Sequence, residues 1–307
     1  MIRGPVLVVG AGGTLGRPAV AGLLRRGVKV RALARRPERL ADLEALGVEV
    51  VPGDLVDAGS LRRACTGAAR VLASAHAILG RGDHTSERVD GDGHRALFDA
   101  AMAAGAERIV YVSAFGVSPD HPVDFFRTKH AVEGHLRRSG AAHVILRPTA
   151  FMEQHVHEFN GRAVLEKGRA RLVGPGTKPR NFVSAADVAR IAVEAITADP
   201  APGPLVEIGG PDNLTNSEVA ALYARMAGRP LRISRLPAGV ARVLAVLAGP
   251  VHPGVARLLR MTSLPDDAFD ERFGGSQELE RRHGFALTRV SDFVRDRVRE
   301  AGITPAA

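Results

Sequence analysis

Seven consecutive residues near the start of the chain have glycines at a spacing that suits phosphate binding. They are Gly10, Ala11, Gly12, Gly13, Thr14, Leu15 and Gly16, and they follow the apolar segment 6–9. Glycines in a turn between a strand and a helix let the backbone approach a pyrophosphate, whose charge then faces the amino terminus of the helix. The spacing is G-x-x-G-x-x-G, because Leu15 stands where a G-x-G-x-x-G motif would end. The segment predicts a dinucleotide-binding loop, and a glycine turn without a ligand is the alternative.

The end of the second predicted strand indicates which dinucleotide this loop would hold. Proteins that bind NAD place an acidic residue there for the ribose hydroxyls. Here the chain reads RALARRP over residues 31–37, and the first acid is Glu38. A guanidinium can hold the 2′-phosphate of NADP with two hydrogen bonds, whereas a carboxylate would repel it. Arg35 and Arg36 therefore favour NADP(H) over NAD(H), and a basic surface at the start of a helix is the alternative.

Short β-rich segments alternate with helical patterns over the first half of the chain, which is typical of a parallel sheet. We predict strands at 6–9, 28–34, 48–51, 71–75, 109–113 and 143–146, with helices at 14–26, 37–46, 60–65, 85–104 and 123–138. After Pro148, residues 185–197 and 215–227 also have helical patterns, and Thr215 with Glu218 fits a capping box. The sequence predicts an α/β fold, with a Rossmann-type doubly wound sheet over residues 1–150 that a strand and helix from about 180–198 complete. A smaller, mainly helical cap over residues 151–307 is interleaved with it.

In the order of its motifs the chain resembles the short-chain dehydrogenase/reductase superfamily, and within it the atypical, NmrA-like NAD(P)H-binding branch. The resemblance covers about residues 5–235. It rests on the glycine loop and on the segments VRALAR (30–35), GDL (53–55), AGAERIVYVSA (104–114), LRP (146–148), FME (151–153) and NFVSAADVA (181–189). It implies a sheet of about seven strands, the last supplied by the second half of the chain. It also implies that Asp54, followed by Leu55, approaches the adenine, and that the loop with Ala75 and His76 borders the cofactor.

Reductases of that superfamily use a Tyr-x-x-x-Lys pair, in which the phenol transfers a proton and the lysine lowers its pKa and holds the ribose. On one helix this spacing puts both side chains on the same face. Here Lys129 is present, but Phe125 occupies the tyrosine position and cannot transfer a proton. Neither Tyr111 nor Tyr223 stands four residues before a lysine. Relatives that keep only the lysine use it near the nicotinamide, so the resemblance implies a catalytic Lys129, and binding of the ribose or solvent alone is equally open.

Two further polar side chains are candidates for the chemistry. Ser113 ends the fifth predicted strand, where the active sites of open α/β sheets gather, although a serine there as often bonds the local backbone. His155 and His157 follow the sixth strand, and a histidine titrates near neutrality. We take His155 as a candidate acid or base, with a polar residue at the mouth of the cap as the alternative. Two histidines at alternate positions do not make a metal site, and we predict no metal.

Composition limits the cellular setting and the partners of the protein. The single cysteine, Cys65, excludes a disulfide framework, and no apolar segment approaches the length of a membrane span. We therefore expect a cytoplasmic protein with a small-molecule substrate and no membrane partner, and a homodimer or a protein partner stays open. The 42 Lys+Arg against 33 Asp+Glu give a net charge of +9. These charges are dispersed without interleaved aromatic residues, so nucleic acid is not an expected partner.

One apolar segment in the last third of the chain has two interpretations. Residues 237–264 read as a helical region that is either a substrate lid or a partner-binding face. Its apolar positions are Val240, Val243, Leu244, Val246 and Leu247. Such a series more often packs in a core than at an interface, so we expect these side chains to be buried.

Two functions of different classes fit these residues. The first is NADP(H)-dependent reduction of a quinone, an enone or an activated carbonyl, with the proton taken from Lys129, a cap histidine or solvent. Acceptors that stabilise their own negative charge suit a site without the tyrosine better than a plain ketone does. The second is a non-catalytic NAD(P)H-binding redox sensor, regulator or assembly subunit, which the resemblance also allows. Direct DNA binding has only the net charge in its favour. The sequence favours the reductase.

Overall fold

A computed structural model describes residues 2–265 and 268–306, and its centre is a seven-stranded parallel sheet. In chain order the strands are β1 (Val6–Val9), β2 (Val30–Ala34), β3 (Glu49–Pro52), β4 (Arg70–Ala73), β5 (Arg108–Val112), β6 (His143–Pro148), β7 (Ala150–Phe151), β8 (Arg169–Val173), β9 (Arg180–Val183), β10 (Leu205–Ile208), β11 (Asn213–Leu214) and β12 (Arg232–Leu236). The large sheet has the order β10-β6-β5-β4-β1-β2-β3, and all of its pairs are parallel. The predicted Rossmann-type α/β fold is confirmed.

Helices cover both faces of this sheet, and further helices build the cap. In chain order they are α1 (Gly16–Arg25), α2 (Ala41–Glu44), α3 (Ala58–Cys65), α4 (His94–Ala103), α5 (Asp124–Arg138), α6 (Arg162–Lys167), α7 (Ala185–Thr197), α8 (Asn216–Met226), α9 (Ala238–Ala248), α10 (Pro253–Thr262), α11 (Ser276–His283) and α12 (Val290–Glu300). Alternate residues of each strand point to opposite faces. Val6 and Val8 therefore join a core with α1 and α7, whereas Leu7 and Val9 join a core with α3, α4 and α5.

The chain reverses its direction of travel across the sheet between β1 and β4. From β1 it proceeds to β2 and β3 on one side, and from β4 it proceeds to β5, β6 and β10 on the other. In open α/β sheets, ligands bind at this switch point, outside the carboxyl ends of the strands. The glycine loop follows β1 and the segment with Ala75 and His76 follows β4, so the two segments meet at this point of the sheet.

Three predicted elements differ from those observed. The predicted helix 85–104 begins as a π-helical segment, Glu87–Gly93, which continues as α4. In the segment 180–198, the helix α7 returns to the sheet, but β9 lies in a small sheet with β7 and β11, and β10 is the seventh strand of the large sheet. β9 stays in the cap because it pairs with β7 and β11, and the side-chain amide of Asn181 also donates to the carbonyl oxygen of Gly210 at 2.9 Å. The predicted helix 37–46 is a 3₁₀ turn, Pro37–Leu40, followed by the short α2, because Leu40, with φ −114° and ψ 16°, leaves the helical conformation between them.

The cap has a hydrophobic core of its own, the third in the protein. It is built around a π-helical segment, Met152–Gly161, and the helices α8 and α12. The hydroxyl of Thr215 accepts from the amide of Glu218 at 3.1 Å, and the carboxylate of Glu218 accepts from the amide of Thr215 at 2.8 Å, so the predicted capping box is confirmed. These bonds supply partners for amides in the first turn of α8, which have none within the helix.

The expectation that the apolar side chains of α9 are buried is wrong. Only Ala241 and Ala245 of this helix are buried, and the larger apolar side chains are exposed. The reason is that α9 turns its small residues toward the protein, and helical periodicity in a sequence does not reveal which face is covered. Among the described residues, no helix has the length and apolarity needed to cross a membrane.

Candidate functional site

A cleft of about 600 Å³ opens at the switch point of the sheet. We call it the glycine-loop cleft. It is lined by every residue of the glycine loop, by Arg35 and Arg36, by Asp54 and Leu55, and by Ala75 and His76. The structure therefore brings together all the predicted cofactor-binding residues except Lys129, which lies in an adjoining cavity.

The glycine loop is a tight turn whose shape needs glycine at its two ends. Gly10 has a φ of +96°, which side chains rarely allow, and the amide of Gly13 donates to its carbonyl oxygen at 2.9 Å. A Cβ atom at Gly16 would lie 2.0 Å from that same oxygen, so only glycine can start α1 here. No acidic side chain lies in the first turn of α1, whose amide groups face the loop. The loop and helix together can hold an anion.

Three arginines line the cleft where β2 ends. Arg35, Arg36 and Arg39 are all exposed there. Sequence reasoning missed Arg39, although it stands three residues after Arg36, which is one turn of the 3₁₀ segment. The three guanidinium groups give this end of the cleft a positive charge that suits a phosphate.

Asp54 lines the cleft from the loop after β3. Its Oδ2 lies 2.6 Å from Nε2 of His84, which lines the same cleft. His84 ends a 3₁₀ turn, Gly82–His84, thirty residues farther along the chain, and nothing in its sequence context predicted this contact. The pair can present the Asp54 carboxylate to hydroxyl or amino groups of a ligand.

A second cavity, of about 150 Å³, contains the three candidate catalytic residues. We call it the lysine cavity, because Lys129 lines it together with Ser113 and His155. It adjoins the glycine-loop cleft, and the residues that line both are Leu15, Ser74, His76, Phe151 and Gln154. A ligand that extends from the cleft past these residues reaches Lys129.

Lys129 is 3% exposed and is held by two oxygen atoms of β5. Its Nζ donates to the carbonyl oxygen of Val112 at 3.0 Å and to the hydroxyl of Tyr111 at 3.4 Å. Burial lowers the pKa of Lys129, while the carboxylates of Asp90 and Glu133 oppose that shift. The ammonium is therefore a stronger acid than an ordinary lysine, and its third N–H can serve a ligand.

The two aromatic rings beside Lys129 have different positions. Phe125, at the superfamily's tyrosine position, lines the lysine cavity, and its ring centre is 5.3 Å from Nζ of Lys129. Tyr111 is fully buried in the core with α4, and burial raises the pKa of its phenol. Tyr111 thus contacts the lysine from inside the protein and is absent from the described lining of the cavity. Its phenol can position Lys129 but has no direct route to a substrate.

Ser113 and His155 both face the lysine cavity. The Oγ of Ser113 is buried and makes no hydrogen bond of ordinary geometry among the residues that the structure describes, although it lies near enough to the Glu133 carboxylate to help lower the pKa of that group. Burial and the nearby Arg180 lower the pKa of His155 to about 3, so this imidazole is neutral at physiological pH. The neutral ring can donate one hydrogen bond and accept another, but it cannot act as an imidazolium acid. His157 instead contacts the hydroxyl of Tyr223 at 3.1 Å in the cap core.

His155 also lines a third cavity, of about 280 Å³, beneath α10. We call it the cap cavity. Phe126, Arg180, Met261, Phe269 and Glu271 line both it and the lysine cavity. The cap cavity can therefore hold the body of a substrate whose reacting atoms lie at Lys129. Within residues 2–265 and 268–306, the structure contains no group of three or more His, Cys, Asp or Glu side chains arranged to hold a metal ion.

Protonation of His94 is expected to destabilise the fold in acid. His94 is fully buried beside Tyr111, and burial and the nearby Lys129 lower its pKa to about 4. In the unfolded chain this histidine binds a proton near pH 6.5, whereas in the folded protein it does so only near pH 4. The free energy of unfolding therefore falls as the pH is lowered between these two values. Between pH 7 and pH 4, protonation of His94 should lower the free energy of unfolding by about 3 kcal/mol.

Urea unfolding of the wild type and of His94→Phe at both pH values measures this effect. The variant should lose about 3 kcal/mol less than the wild type over the interval. The control Phe98→Leu, at a buried neighbour of His94 that does not titrate, should lower stability equally at both pH values. Equal acid losses in the wild type and His94→Phe would contradict the assignment.

Residues 10–199, more than half of the chain, match the model of a protein family described as NAD(P)H-binding. A (4-alkanoyl-5-oxo-2,5-dihydrofuran-3-yl)methyl phosphate reductase from Streptomyces griseus is 35% identical over 238 residues, which cover 77% of this chain and 79% of that protein. An NAD(P)H azoreductase from Xenophilus azovorans is 30% identical over 228 residues, which cover 74% of this chain and 75% of that protein.

Two further likenesses extend the range of similar proteins. A photosystem II assembly factor, Ycf39, from Trieres chinensis is 24% identical over 244 residues, which cover 80% of this chain and 76% of that protein. Among solved structures, an NADPH-dependent quinone oxidoreductase from Escherichia coli in complex with NADPH matches with a TM-score of 0.77 and 23% identity, over 95% of this chain and 99% of that one. At this level of identity, the likeness establishes the fold.

Proposed function

Because the chain belongs to the NmrA-like NAD(P)H-binding family, we propose that it is an NADP(H)-dependent reductase of a quinone, an enone or an activated carbonyl. The observation that carries the proposal is the junction between the glycine-loop cleft and the lysine cavity. Five residues line both, so a dinucleotide in the cleft has a path to Lys129 and to the hydroxyl of Ser113. Reduction needs that adjacency of hydride donor and polar groups.

The residues of the cleft fit a dinucleotide with an additional phosphate. The glycine loop and the start of α1 would hold the pyrophosphate, and Asp54 would face the adenosine. Arg35, Arg36 and Arg39 would hold the 2′-phosphate, since no carboxylate ends β2 to repel it. This donor set favours NADP(H) over NAD(H).

The nicotinamide supplies a hydride when the cofactor is bound. Lys129 would donate a hydrogen bond to the oxygen atom on which negative charge develops, and its lowered pKa makes it a ready proton donor to that oxygen. The hydroxyl of Ser113 would orient the same group. His155, neutral and between the lysine and cap cavities, would hold the substrate through a hydrogen bond.

The proposed substrates are acceptors that stabilise their own negative charge. Phe125 gives the cavity an apolar wall at the position where the tyrosine of other reductases would transfer a proton to a plain ketone. A quinone or an enone spreads the charge that the hydride brings and accepts its proton later, from Lys129 or from water. The Streptomyces griseus relative supports this class, since its named substrate carries oxo and alkanoyl groups on a dihydrofuran ring.

A non-catalytic NAD(P)H-binding sensor or assembly subunit is the second candidate. Phe125 and the likeness to a photosystem II assembly factor favour it. We rank it below the reductase because Lys129 and Ser113 line one cavity, and Nζ of Lys129 has one N–H beyond its two bonds to β5. Such groups are costly to bury without a ligand.

Oxidation of NADPH by the purified protein, against a panel of acceptors, tests the reductase. Quinones and enones should be reduced, and unactivated ketones of matched size should react at least about 100-fold more slowly, the range of one lost acid–base contribution. Saturable NADPH binding without turnover on any acceptor would favour the sensor or assembly subunit instead. Equal rates on activated and plain ketones would contradict the substrate class.

A further inference from the structure

The hairpin formed by α9 and α10 has an exposed apolar face. Val240, Val243, Leu244 and Leu247 recur at helical spacing on one side of α9. Val251 continues this series in the turn and is 82% exposed, while Leu247 is 68% exposed. These five residues are called the aliphatic stripe. Monomeric proteins rarely expose a contiguous apolar surface of this kind, and where they do it usually marks an interaction site.

Contacts on the inner side of the hairpin keep the stripe facing outward. Ala241 and Ala245 of α9 are fully buried. On α10, the guanidinium of Arg257 donates to both carboxylate oxygens of Asp124, at 2.7 and 2.8 Å, and to the carbonyl oxygen of Ile78 at 2.7 Å. The backbone of Leu79 lies so close to Gly254 that a Cβ there would be 2.4 Å away. The hairpin is therefore fixed, and turning its stripe inward would break a partly buried ion pair.

Between Glu218 and Asp266, the segment that contains the stripe carries charge of one sign. From Val219 to Pro265 the sequence contains no Asp or Glu, whereas it contains the arginines Arg225, Arg229, Arg232, Arg235, Arg242, Arg257 and Arg260. All of them except Arg257 are exposed. The stripe thus lies in a segment whose exposed charged side chains are all positive, and its partner must tolerate or supply negative charge.

This charge pattern selects among the surfaces that would cover an aliphatic helix. A second copy of the chain would bring two such sets of arginines together without a carboxylate from the same segment, which is repulsive. Protein interfaces are enriched in aromatic residues, whereas the stripe is valine and leucine only. A bilayer with anionic lipids offers an apolar layer for the side chains and negative headgroups for the arginines.

We propose that the aliphatic stripe docks the protein on the surface of a membrane that contains anionic lipids. The stripe enters the boundary between headgroups and acyl chains, and the exposed arginines of residues 219–265 supply the positive charge that attracts anionic headgroups. No part of the chain spans the bilayer in this arrangement. The proposal departs from the sequence expectation of no membrane partner, which rested on the lack of a spanning segment. It does not depend on the proposed reaction.

Flotation of the full chain with vesicles tests the docking. One set of vesicles contains phosphatidylcholine alone, and the other also contains phosphatidylglycerol. The wild type should float with the second set, and added salt should weaken this binding. Leu247→Asp should reduce binding at least about tenfold, because it removes a buried leucine and adds a charge of the wrong sign. The control is Leu46→Asp. Leu46 is similarly exposed, at 64%, and lies between α2 and β3, far from the stripe in the chain, so this variant should bind like the wild type.

The outcomes separate the possible occupants of the stripe. Binding to the anionic vesicles that Leu247→Asp abolishes and Leu46→Asp retains would establish the proposal. Equal binding of the wild type and Leu247→Asp would overturn it. A dimer in solution that Leu247→Asp dissociates, without vesicle binding, would overturn it in favour of a second copy. No vesicle binding by a folded, monomeric wild type would also overturn it and would leave an acidic protein as the occupant.

Discussion

Replacing Lys129 with methionine is expected to lower kcat/KM for a quinone or an enone by about 10²- to 10⁴-fold, the range attributed to a positioned acid or base. Methionine fills the same buried space but has no N–H to offer to the developing negative charge. NADPH should still bind, with Kd raised no more than about tenfold, or 1.4 kcal/mol, because the glycine loop and the arginines remain. Lys129→Ala should behave alike and add a cavity. Steady-state kinetics and NADPH titration measure the two effects separately.

Tyr111→Phe is the matched control for the lysine substitution. It removes the hydroxyl 3.4 Å from Nζ but leaves the carbonyl oxygen of Val112 in place. Because Tyr111 acts only by positioning Lys129, this variant should lose no more than about tenfold in kcat, and the basic limb of its pH profile should move. Near wild-type turnover by Lys129→Met would contradict the role assigned to the lysine. A larger loss in Tyr111→Phe than in Lys129→Met would also contradict it.

Replacing Arg35 and Arg36 together with glutamate is expected to weaken NADPH binding by about 100- to 1,000-fold. Each charge-assisted hydrogen bond to the 2′-phosphate contributes about 1.5–3 kcal/mol, and the new carboxylates repel the phosphate. NADH lacks that phosphate, so its Kd should change by no more than about threefold. Fluorescence of the reduced nicotinamide measures both affinities, and the absence of tryptophan from the chain removes a competing signal.

The control for the arginine pair is Arg62→Glu combined with Arg63→Glu, which makes the same change in net charge on the exposed side of α3, outside the described lining of the glycine-loop cleft. It should leave both affinities unchanged, and so separates a local contact from an effect of net charge. Equal losses of NADPH and NADH affinity in the variant with Arg35→Glu and Arg36→Glu would show that these arginines do not bind the 2′-phosphate. An unchanged NADPH affinity would place the phosphate elsewhere.

Local sequence signals predicted most of the sheet and the glycine-loop cleft. The run 6–9, buried on both faces, and the glycines at 10, 13 and 16 specify a strand, a turn and a helix within a few residues. Thr215 and Glu218 specify a helix start in the same local way. Such signals depend on the conformational preferences of residues that are adjacent in the chain, and these preferences can be inferred from a single sequence.

The contacts between distant segments were not predictable. Tyr111 stands on β5 and Lys129 on α5, and they meet because the helix packs on the sheet face that carries the phenol. His84 reaches Asp54 across the cleft for a similar reason. The face of α9 that packs inward depends on which neighbour the small residues Ala241 and Ala245 can approach. Periodicity specifies that a helix has two faces, and only tertiary packing decides which one is covered.

Titration of the purified wild type with NADPH, and separately with NADH, tests whether the glycine-loop cleft holds a dinucleotide whose additional phosphate contacts Arg35 and Arg36. We expect saturable binding of one NADPH per chain, at least about tenfold tighter than NADH, which is one charge-assisted contact expressed as affinity. Absence of saturable binding by either nucleotide would contradict the assignment of the cleft, and tighter binding of NADH would contradict the role of the two arginines.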